Sequence, residues 1–335
     1  MIGPDAFAPQ GENIRALIRQ ARQDQLPHAA LISGDAGVGK WSLARALAAA
    51  MLCKAEDSGT RPCGRCKSCQ EMEAGTHPDL IVIRKGEPLV RTDTKTAIPV
   101  SDISEMIRQV NLRGFQGSKR IVIIRRAEDM TVEAQNKMLK TLEEPPEGVY
   151  FFLTAVSADK LLPTIVSRCR PIHMHLWGEE DLRRMLAEHG ISGQRALDAA
   201  AEAQGSIGQA IVLAGDDAYW AFRKEVTEDF LCCPNRSEIL RVSGKWKDRK
   251  EEAEAIFRVM DSFFSRVSHR ALGLEKGKGE PLPAPWQAFS EKASPADLVR
   301  VGDAVSLART RILNSVQFQP VMEQLILTLM EASSI

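Results

Sequence analysis

A surplus of charge and long apolar runs are both missing from this sequence. Its 335 residues include 44 lysines and arginines and 44 aspartates and glutamates, so the formal net charge is zero. A protein that covers DNA with its own surface is expected to carry a basic surplus, although a zero balance does not exclude a local basic face. Nor does any apolar run reach the roughly 18 residues of a membrane-spanning helix. The N-terminus also lacks the basic and then apolar layout of a secretory signal. We therefore expect a cytoplasmic protein with no membrane partner.

Disulfide bonds are not expected, because the seven cysteines are an odd number in a chain without a secretory signal. Four of them form a tight pattern: Cys53, nine residues, then Cys63-x-x-Cys66-x-x-Cys69. Four thiolates at such spacing suit a closed tetrahedral zinc site, which has no open position for catalysis. The pattern predicts structural zinc in a module at about 53–69. Unrelated buried cysteines and a redox pair are the alternatives.

Short apolar runs alternate with helical patterns over the first half of the chain. The runs lie at 26–34, 79–83, 120–125, 149–155 and 171–175. Helical patterns cover 12–25, the Ala- and Leu-rich segment after the first run, and 131–144, which two prolines terminate. Strands alternating with helices predict an α/β fold with a parallel sheet.

Strand signals fade after residue 176, and the remaining pattern is helical. The one clear Gly/Pro-rich interruption there is 274–286. We place domain boundaries near 176 and 216. The predicted domains are a core at 1–176, a small helical domain at 177–215 and a helical domain at 216–335.

The stretch GDAGVGKW, residues 34–41, almost completes the phosphate-binding pattern G-x-x-x-x-G-K-[ST]. Gly34, Gly39 and Lys40 fit the pattern, and Gly37 adds a further glycine. Position 41 should be a Ser or Thr that binds Mg²⁺, but it is Trp41, which has no oxygen to offer.

The strand that should supply acidic residues for Mg²⁺ is RIVIIRRAEDM, and its carboxyl end carries Arg125 and Arg126 instead. Glu128 and Asp129 follow, and we expect them to lie beyond reach of a metal. These departures predict that ATP and Mg²⁺ are not bound productively. Lys40 is then a remnant lysine without a function of its own, on a loop whose glycines still shape the turn from strand to helix. The alternative is that it supports weak binding of a nucleotide or anion at a helix N-terminus, without hydrolysis.

Several stretches resemble the delta-prime subunits of bacterial DNA polymerase III clamp loaders, a family of AAA+ proteins. The resemblance covers most of residues 8–215 and is weaker beyond. It rests on the entry into the phosphate loop at 26–40, the cysteine module, THPDL at 76–80, QNKMLKTLEEPPE at 135–147, LPTIVSRCR at 162–170 and, loosely, 312–327.

This resemblance implies a AAA+ P-loop core with a zinc module, then a helical lid at 177–215 and an all-α collar at 216–335. It implies a non-hydrolysing subunit that helps to load the sliding clamp onto primed DNA. Ser167, Arg168 and Cys169 match the motif whose arginine reaches a neighbouring subunit's ATP. The implied partners are the gamma/tau motor subunits, the delta subunit and, through the complex, the sliding clamp and primer-template DNA.

Two alternatives stay open. The first is an active ATPase of the gamma/tau type, but those subunits keep the threonine after the lysine and the acidic pair. They also carry a lid arginine where this chain has Gly208. The second is a zinc-bearing DNA-binding module, which a basic stripe including Arg113, Lys119 and Arg120 would support.

Overall fold

The chain divides into two compact units in a computed structural model, which describes residues 3–87, 89–90, 96–111, 119–274, 281–314 and 316–333. The first unit comprises Met1–Met185 with Gly205–Gly208, and the second comprises Leu186–Gln204 with Gln209–Ile335.

The first unit contains a five-stranded sheet whose strands are all parallel. The strands are β1 (Ala29–Ser33), β2 (Leu80–Ile83), β3 (Arg120–Ile124), β4 (Val149–Ala155) and β5 (Arg170–His173). Their order across the sheet is β2-β3-β4-β1-β5. Parallel neighbours need crossover connections, which explains the helices between the strands. The predicted α/β class and parallel sheet are confirmed, and every apolar run forms a strand.

Between Glu12 and Glu188, the described residues form seven α-helices. They are α1 (Glu12–Arg22), α2 (Lys40–Leu52), α3 (Lys67–Ala74), α4 (Val100–Val110), α5 (Val132–Glu143), α6 (Pro163–Val166) and α7 (Glu179–Glu188). The side chain of Thr131 caps α5 by accepting a hydrogen bond from the Ala134 N–H (3.2 Å). The helix ends at Glu143, before the proline pair, because proline cannot continue the hydrogen-bond ladder.

One apolar cluster joins α5, α6 and the sheet. Phe151 and Leu153 of β4 are fully buried, and Met138 and Leu142 of α5 pack into the same cluster. Ile165 of α6 is also fully buried there. Burying side chains of this size stabilises a fold by roughly 1.5–3 kcal/mol each. The cluster therefore fixes the backbone that leads to residues 167–169.

The remainder of the chain is helical, as expected, and its described residues form no strand. The helices are α8 (Gln194–Glu202), α9 (Ile207–Gly215), α10 (Asp217–Val226), α11 (Ile239–Trp246), α12 (Ala253–Ala271), α13 (Ala284–Lys292), α14 (Pro295–Leu313) and α15 (Phe318–Ser333). Part of the Gly/Pro-rich interruption, 275–280, lies outside the described residues.

Two tryptophans anchor the core of the second unit. Trp246 and Trp286 are fully buried. Their indole N–H groups donate to Asp229 Oδ2 (2.7 Å) and to the Leu231 carbonyl (2.6 Å), respectively. A buried indole needs such an acceptor to offset its lost hydration. Among the described residues, no helix is both long and apolar enough to span a bilayer.

Candidate functional site

Glycine is required at two points of the loop between β1 and α2. Gly34 adopts φ +142°, and a Cβ there would lie 2.4 Å from the Met174 carbonyl oxygen. Gly39 adopts φ +101° and is the N-cap of α2. Residues with a side chain rarely adopt such backbone angles. The glycines of the phosphate loop therefore keep their role in shaping the turn from strand to helix.

Lys40 is bonded to the loop itself. Its Nζ donates to the carbonyls of Gly34 (2.6 Å) and Asp35 (2.7 Å). Burial lowers the pKa of Lys40, while the negative charges of Glu128 and Asp35 oppose that shift. In an active phosphate loop this ammonium reaches the β- and γ-phosphates. Here its hydrogen bonds stabilise the loop.

Two distant segments of the same unit bond to the loop. The carbonyls of residues 36–38 accept hydrogen bonds, respectively, from Ser206 Oγ (3.3 Å), the Gly208 N–H (2.9 Å) and Trp177 Nε1 (2.8 Å). Together with the two Lys40 bonds, every carbonyl from 34 to 38 is satisfied from within the chain. A Cβ at Gly208 would lie 3.1 Å from Gly37 Cα. The contact is thus close enough to favour glycine at position 208.

Trp41 and Arg125 lie against each other. The Arg125 guanidinium carbon is 4.6 Å from the centroid of the Trp41 ring, a cation–π distance. Burial lowers the pKa of Arg125, but an arginine stays charged over the physiological range. Arg126 has φ +51°, and its Nε lies 3.1 Å from Asp129 Oδ2. A fixed positive charge therefore lies beside the position where the pattern expects a metal-binding hydroxyl.

The four clustered cysteines converge in space. Their Sγ atoms all lie within 4.8 Å of one another. Cys53 and Cys66 are 3.9 Å apart, and Cys63 and Cys69 are 4.0 Å apart. A tetrahedral site with Zn–S bonds of about 2.3 Å requires sulfur separations of about 3.8 Å. The donor set therefore fits a metal ion with four sulfur ligands.

Backbone groups around this cluster favour thiolate. The pKa of Cys63 is lowered to about 6 by hydrogen bonds from the backbone N–H groups of Arg65 and Cys66. Burial raises the pKa of Cys53 and of Cys69. A bound cation would compensate the charge of the buried pair, so metal binding displaces protons there.

The cysteine module is tied to the end of α1. Arg22 Nε donates to the Arg61 carbonyl (2.8 Å), and Arg61 Nη1 lies 3.3 Å from Asp24 Oδ2. Lys119, from the suggested basic stripe, also pairs with Asp24. These contacts hold the module to the core independently of any metal.

Arg168 is engaged within its own unit. Its Nε donates to Glu143 Oε1 (2.9 Å), and its Nη1 donates to the Thr164 carbonyl (2.8 Å) and to Ser167 Oγ (3.3 Å). Its side chain is 31 % exposed and that of Glu143 is 49 % exposed. The neighbouring Cys169 is buried, which raises its pKa to about 11, so it is a packed thiol.

Helix α5 holds the segment that carries Arg168 at two points. Near its start, Gln135 is buried, and its Oε1 accepts a hydrogen bond from the Leu162 N–H (2.9 Å). At its end, Glu143 contacts Arg168. Both residues belong to the stretch 135–147, whose chemical role the sequence alone did not reveal.

Comparison with known proteins identifies the family. The family described as "DNA polymerase III, delta subunit" matches residues 9–177. The delta' subunit of Bacillus subtilis (strain 168) is 26 % identical over 339 residues, covering 95 % of both chains. The chain belongs to the delta-prime family of DNA polymerase III subunits.

Two further relatives align over shorter stretches. The delta' subunit of Haemophilus influenzae is 40 % identical over 153 residues, covering 46 % of this chain and 44 % of that protein. The Escherichia coli tau subunit is 34 % identical over 219 residues, covering 63 % of this chain and 32 % of that protein. The stretch that aligns with this delta-prime family member thus covers less than half of each of these two relatives.

The basic stripe does not form an exposed surface where it is described. Arg120 is 6 % exposed and lies 3.6 Å from Asp79, which is 1 % exposed. Arg113 lies outside the described residues. A buried ion pair cannot contact a phosphate backbone, so Arg120 gives no support to a DNA-binding module.

Sequence reasoning missed three contacts of this site: Trp177 and residues 205–208 on the loop, Trp41 against Arg125, and Glu143 on Arg168. Each joins residues that are distant in the chain. The motif at 135–147 was the one available signal for the last of them.

Proposed function

We propose that this chain is a subunit of a clamp loader that does not hydrolyse ATP itself. In this proposal it assembles with gamma/tau motor subunits and a delta subunit, and the complex loads the sliding clamp onto primer-template DNA. Membership of the delta-prime family supports the role, since its named relatives are DNA polymerase III subunits.

The observation that carries the non-hydrolysing role is the Arg125–Trp41 contact at 4.6 Å. Phosphoryl transfer needs a metal ion that bridges the phosphates and neutralises the developing charge. Trp41 supplies no oxygen ligand, and the Arg125 guanidinium repels a cation at that position. Lys40, which would hold the phosphates, is bonded to two loop carbonyls.

The proposed contribution to catalysis is Arg168, acting on the ATP of a neighbouring motor subunit. A guanidinium stays charged and offers donors in a fixed fork, so it stabilises negative charge as it develops on the γ-phosphate. Its partly exposed position supports this role, as does its place in the Ser167–Cys169 motif. The apolar packing of Ile165 and Cys169 and the Gln135–Leu162 bond fix the backbone on either side.

Zinc is the metal that we propose for the four cysteines. Zinc with four thiolates forms closed tetrahedral sites that stabilise small modules. The sulfur separations of 3.9 and 4.0 Å support this assignment. The ion would hold Cys53, at the end of α2, to Cys66 and Cys69, at the start of α3, and it would take no part in a reaction.

An ATPase assay on the isolated chain tests the non-hydrolysing role. We expect no Mg²⁺-dependent turnover above background, with or without DNA. The matched control is Lys40→Ala, which should give the same rate as the unchanged chain. Turnover by the unchanged chain that Lys40→Ala abolishes would establish an active gamma/tau-type ATPase and refute the proposal.

A further inference from the structure

The Arg168 guanidinium has most of its hydrogen-bonding capacity in use. An arginine side chain offers five N–H donors. Glu143 accepts from Nε and Nη2, and Thr164 and Ser167 accept from Nη1. The edge formed by Nε and Nη2, which is the edge that matches a carboxylate or a phosphate in bidentate fashion, faces Glu143. Arg168 cannot present that edge to a phosphate until Glu143 releases it.

We propose that Glu143 is a latch, a positioning residue that holds Arg168 away from a neighbour's nucleotide until a γ-phosphate displaces it. This inference rests on the proposed role of Arg168 in trans. Carboxylate and phosphate compete for the same donors, so occupation by Glu143 lowers the fraction of Arg168 that is ready to engage. Glu143 itself touches no reacting atom.

The latch is weak enough to open. Both side chains are partly exposed, at 31 % and 49 %, and ion pairs in such surroundings contribute little because water screens them. A phosphate carries more negative charge than a carboxylate and offers more acceptor oxygens, so it wins the exchange when it is near.

The surrounding structure lets the side chain move while the backbone stays. Ile165 is fully buried and Cys169 is 6 % exposed, on either side of Arg168. The Leu162 N–H is bonded to Gln135, which is itself buried. Opening the latch therefore requires only a change of the Arg168 rotamers. Such changes cost far less than unpacking the apolar cluster.

Glu143→Gln tests the latch, with Glu144→Gln as the matched control. Glu144 is an exposed carboxylate one residue along the chain, and replacing it removes the same charge. Each variant would be assembled with motor and delta subunits, and the ATPase would be measured against ATP concentration with clamp and primed DNA. Glu143→Gln should lower the ATP concentration for half-maximal rate at the site that faces this chain by about 1.4- to 5-fold, the ratio that 0.2–1 kcal/mol corresponds to. The half-maximal concentration of the whole loader should fall by a smaller factor. The maximal rate should be unchanged, and Glu144→Gln should leave both values unchanged.

A second measurement checks the pair in the isolated chain. In protein labelled with ¹⁵N-arginine, the Arg168 Nε–H signal should shift with Glu143→Gln and stay in place with Glu144→Gln. The absence of a shift would show that the pair does not form in solution and would overturn the proposal.

The variant Arg168→Ala separates failure of the latch from failure of the proposed function. If Arg168→Ala slows the loader while Glu143→Gln behaves like Glu144→Gln, the latch is refuted and the role of Arg168 stands. If Glu143→Gln lowers the maximal rate, Glu143 aids catalysis and is not a competitor, which also refutes the latch. If Arg168→Ala has no effect, the role in trans fails and the latch fails with it. If Arg168 acts in trans and Glu143 is its latch, Glu143→Gln should change nothing in the Arg168→Ala background.

Discussion

Replacing Trp41 by threonine, alone and together with Arg125→Asp, tests whether a fixed cation keeps Mg²⁺ from the phosphate loop. The Arg125 guanidinium carbon lies 4.6 Å from the centre of the Trp41 ring. A divalent ion bound in the space of that ring would meet a single positive charge at about 5 Å, a repulsion of roughly 3–7 kcal/mol at an effective dielectric constant of about 40–20. Even the lower figure weakens metal binding by about a hundredfold.

Trp41→Thr alone should therefore give no Mg²⁺-dependent nucleotide binding, although it restores the hydroxyl of the pattern. The double variant Trp41→Thr, Arg125→Asp should bind ADP in a Mg²⁺-dependent manner, because it removes the repulsion and adds a carboxylate. We expect no hydrolysis from it, since Arg126 still occupies the second acidic position. Calorimetric titration with ADP, in Mg²⁺ and in EDTA, measures the difference.

Both variants lose the cation–π contact, which is worth about 0.5–2 kcal/mol, so a comparison between them is matched for that loss. Thermal denaturation would verify that each is folded, and adding Lys40→Ala should remove the binding gained by the double variant. The reasoning is refuted if Trp41→Thr alone binds Mg²⁺-ADP as tightly as the double variant does.

The remaining predictions concern the cysteine module and the closed loop. Purified protein should contain one tightly bound zinc per chain. Cys66→Ser should lose the zinc, while circular dichroism should show that the sheet is retained. A metal-to-protein ratio near zero in unoxidised, chelator-free protein would reject the site. Since ligation requires thiolates, zinc should be retained at pH 7 and released when acid protonates the sulfurs, measured with a chromogenic chelator. Release that does not depend on pH would contradict thiolate ligation. Gly208→Arg places a Cβ 3.1 Å from the backbone of Gly37, so it should destabilise the first unit by about 1–3 kcal/mol in thermal denaturation. Gly178→Arg is its control, because Gly178 lies in the same unit and an added Cβ there would meet only Asp181 Oδ2, at 3.9 Å. Equal stability of the two variants would contradict the close contact.

Local patterns were sufficient to predict the strands, the phosphate loop and the cysteine cluster. The run at 120–125 forms β3 because its residues suit a fully buried strand. The spacing of the four cysteines was sufficient to predict that their sulfurs form one cluster. The domain boundaries at 176 and 216 stay predictions.

The contacts that the phosphate loop and Arg168 make with distant residues could not be predicted from the sequence. Trp41 and Arg125 were both recognised as departures from the ATPase pattern. Their contact arises because Trp41 lies in the first turn of α2, which follows β1, and Arg125 directly follows β3, so both lie at the carboxyl ends of parallel strands. The hydrogen bonds from Ser206 and Gly208 to the loop span about 170 residues of sequence, and no periodicity encodes them. Glu143 and Arg168 meet only because α5 and α6 pack on one apolar cluster.

The most direct test of the central claim is the ATPase of a reconstituted clamp loader that carries Arg168→Ala in this chain. The variant should assemble normally, and its ATP hydrolysis and clamp loading should slow. An arginine supplied in trans to a neighbour's nucleotide is worth roughly 10³–10⁵ in rate at that site. The rate that remains should therefore come from sites that do not face this chain. Arg168→Lys should rescue poorly, because lysine lacks the planar fork. Normal assembly with full clamp- and DNA-stimulated ATPase in the alanine variant would contradict the account and leave the chain a scaffold.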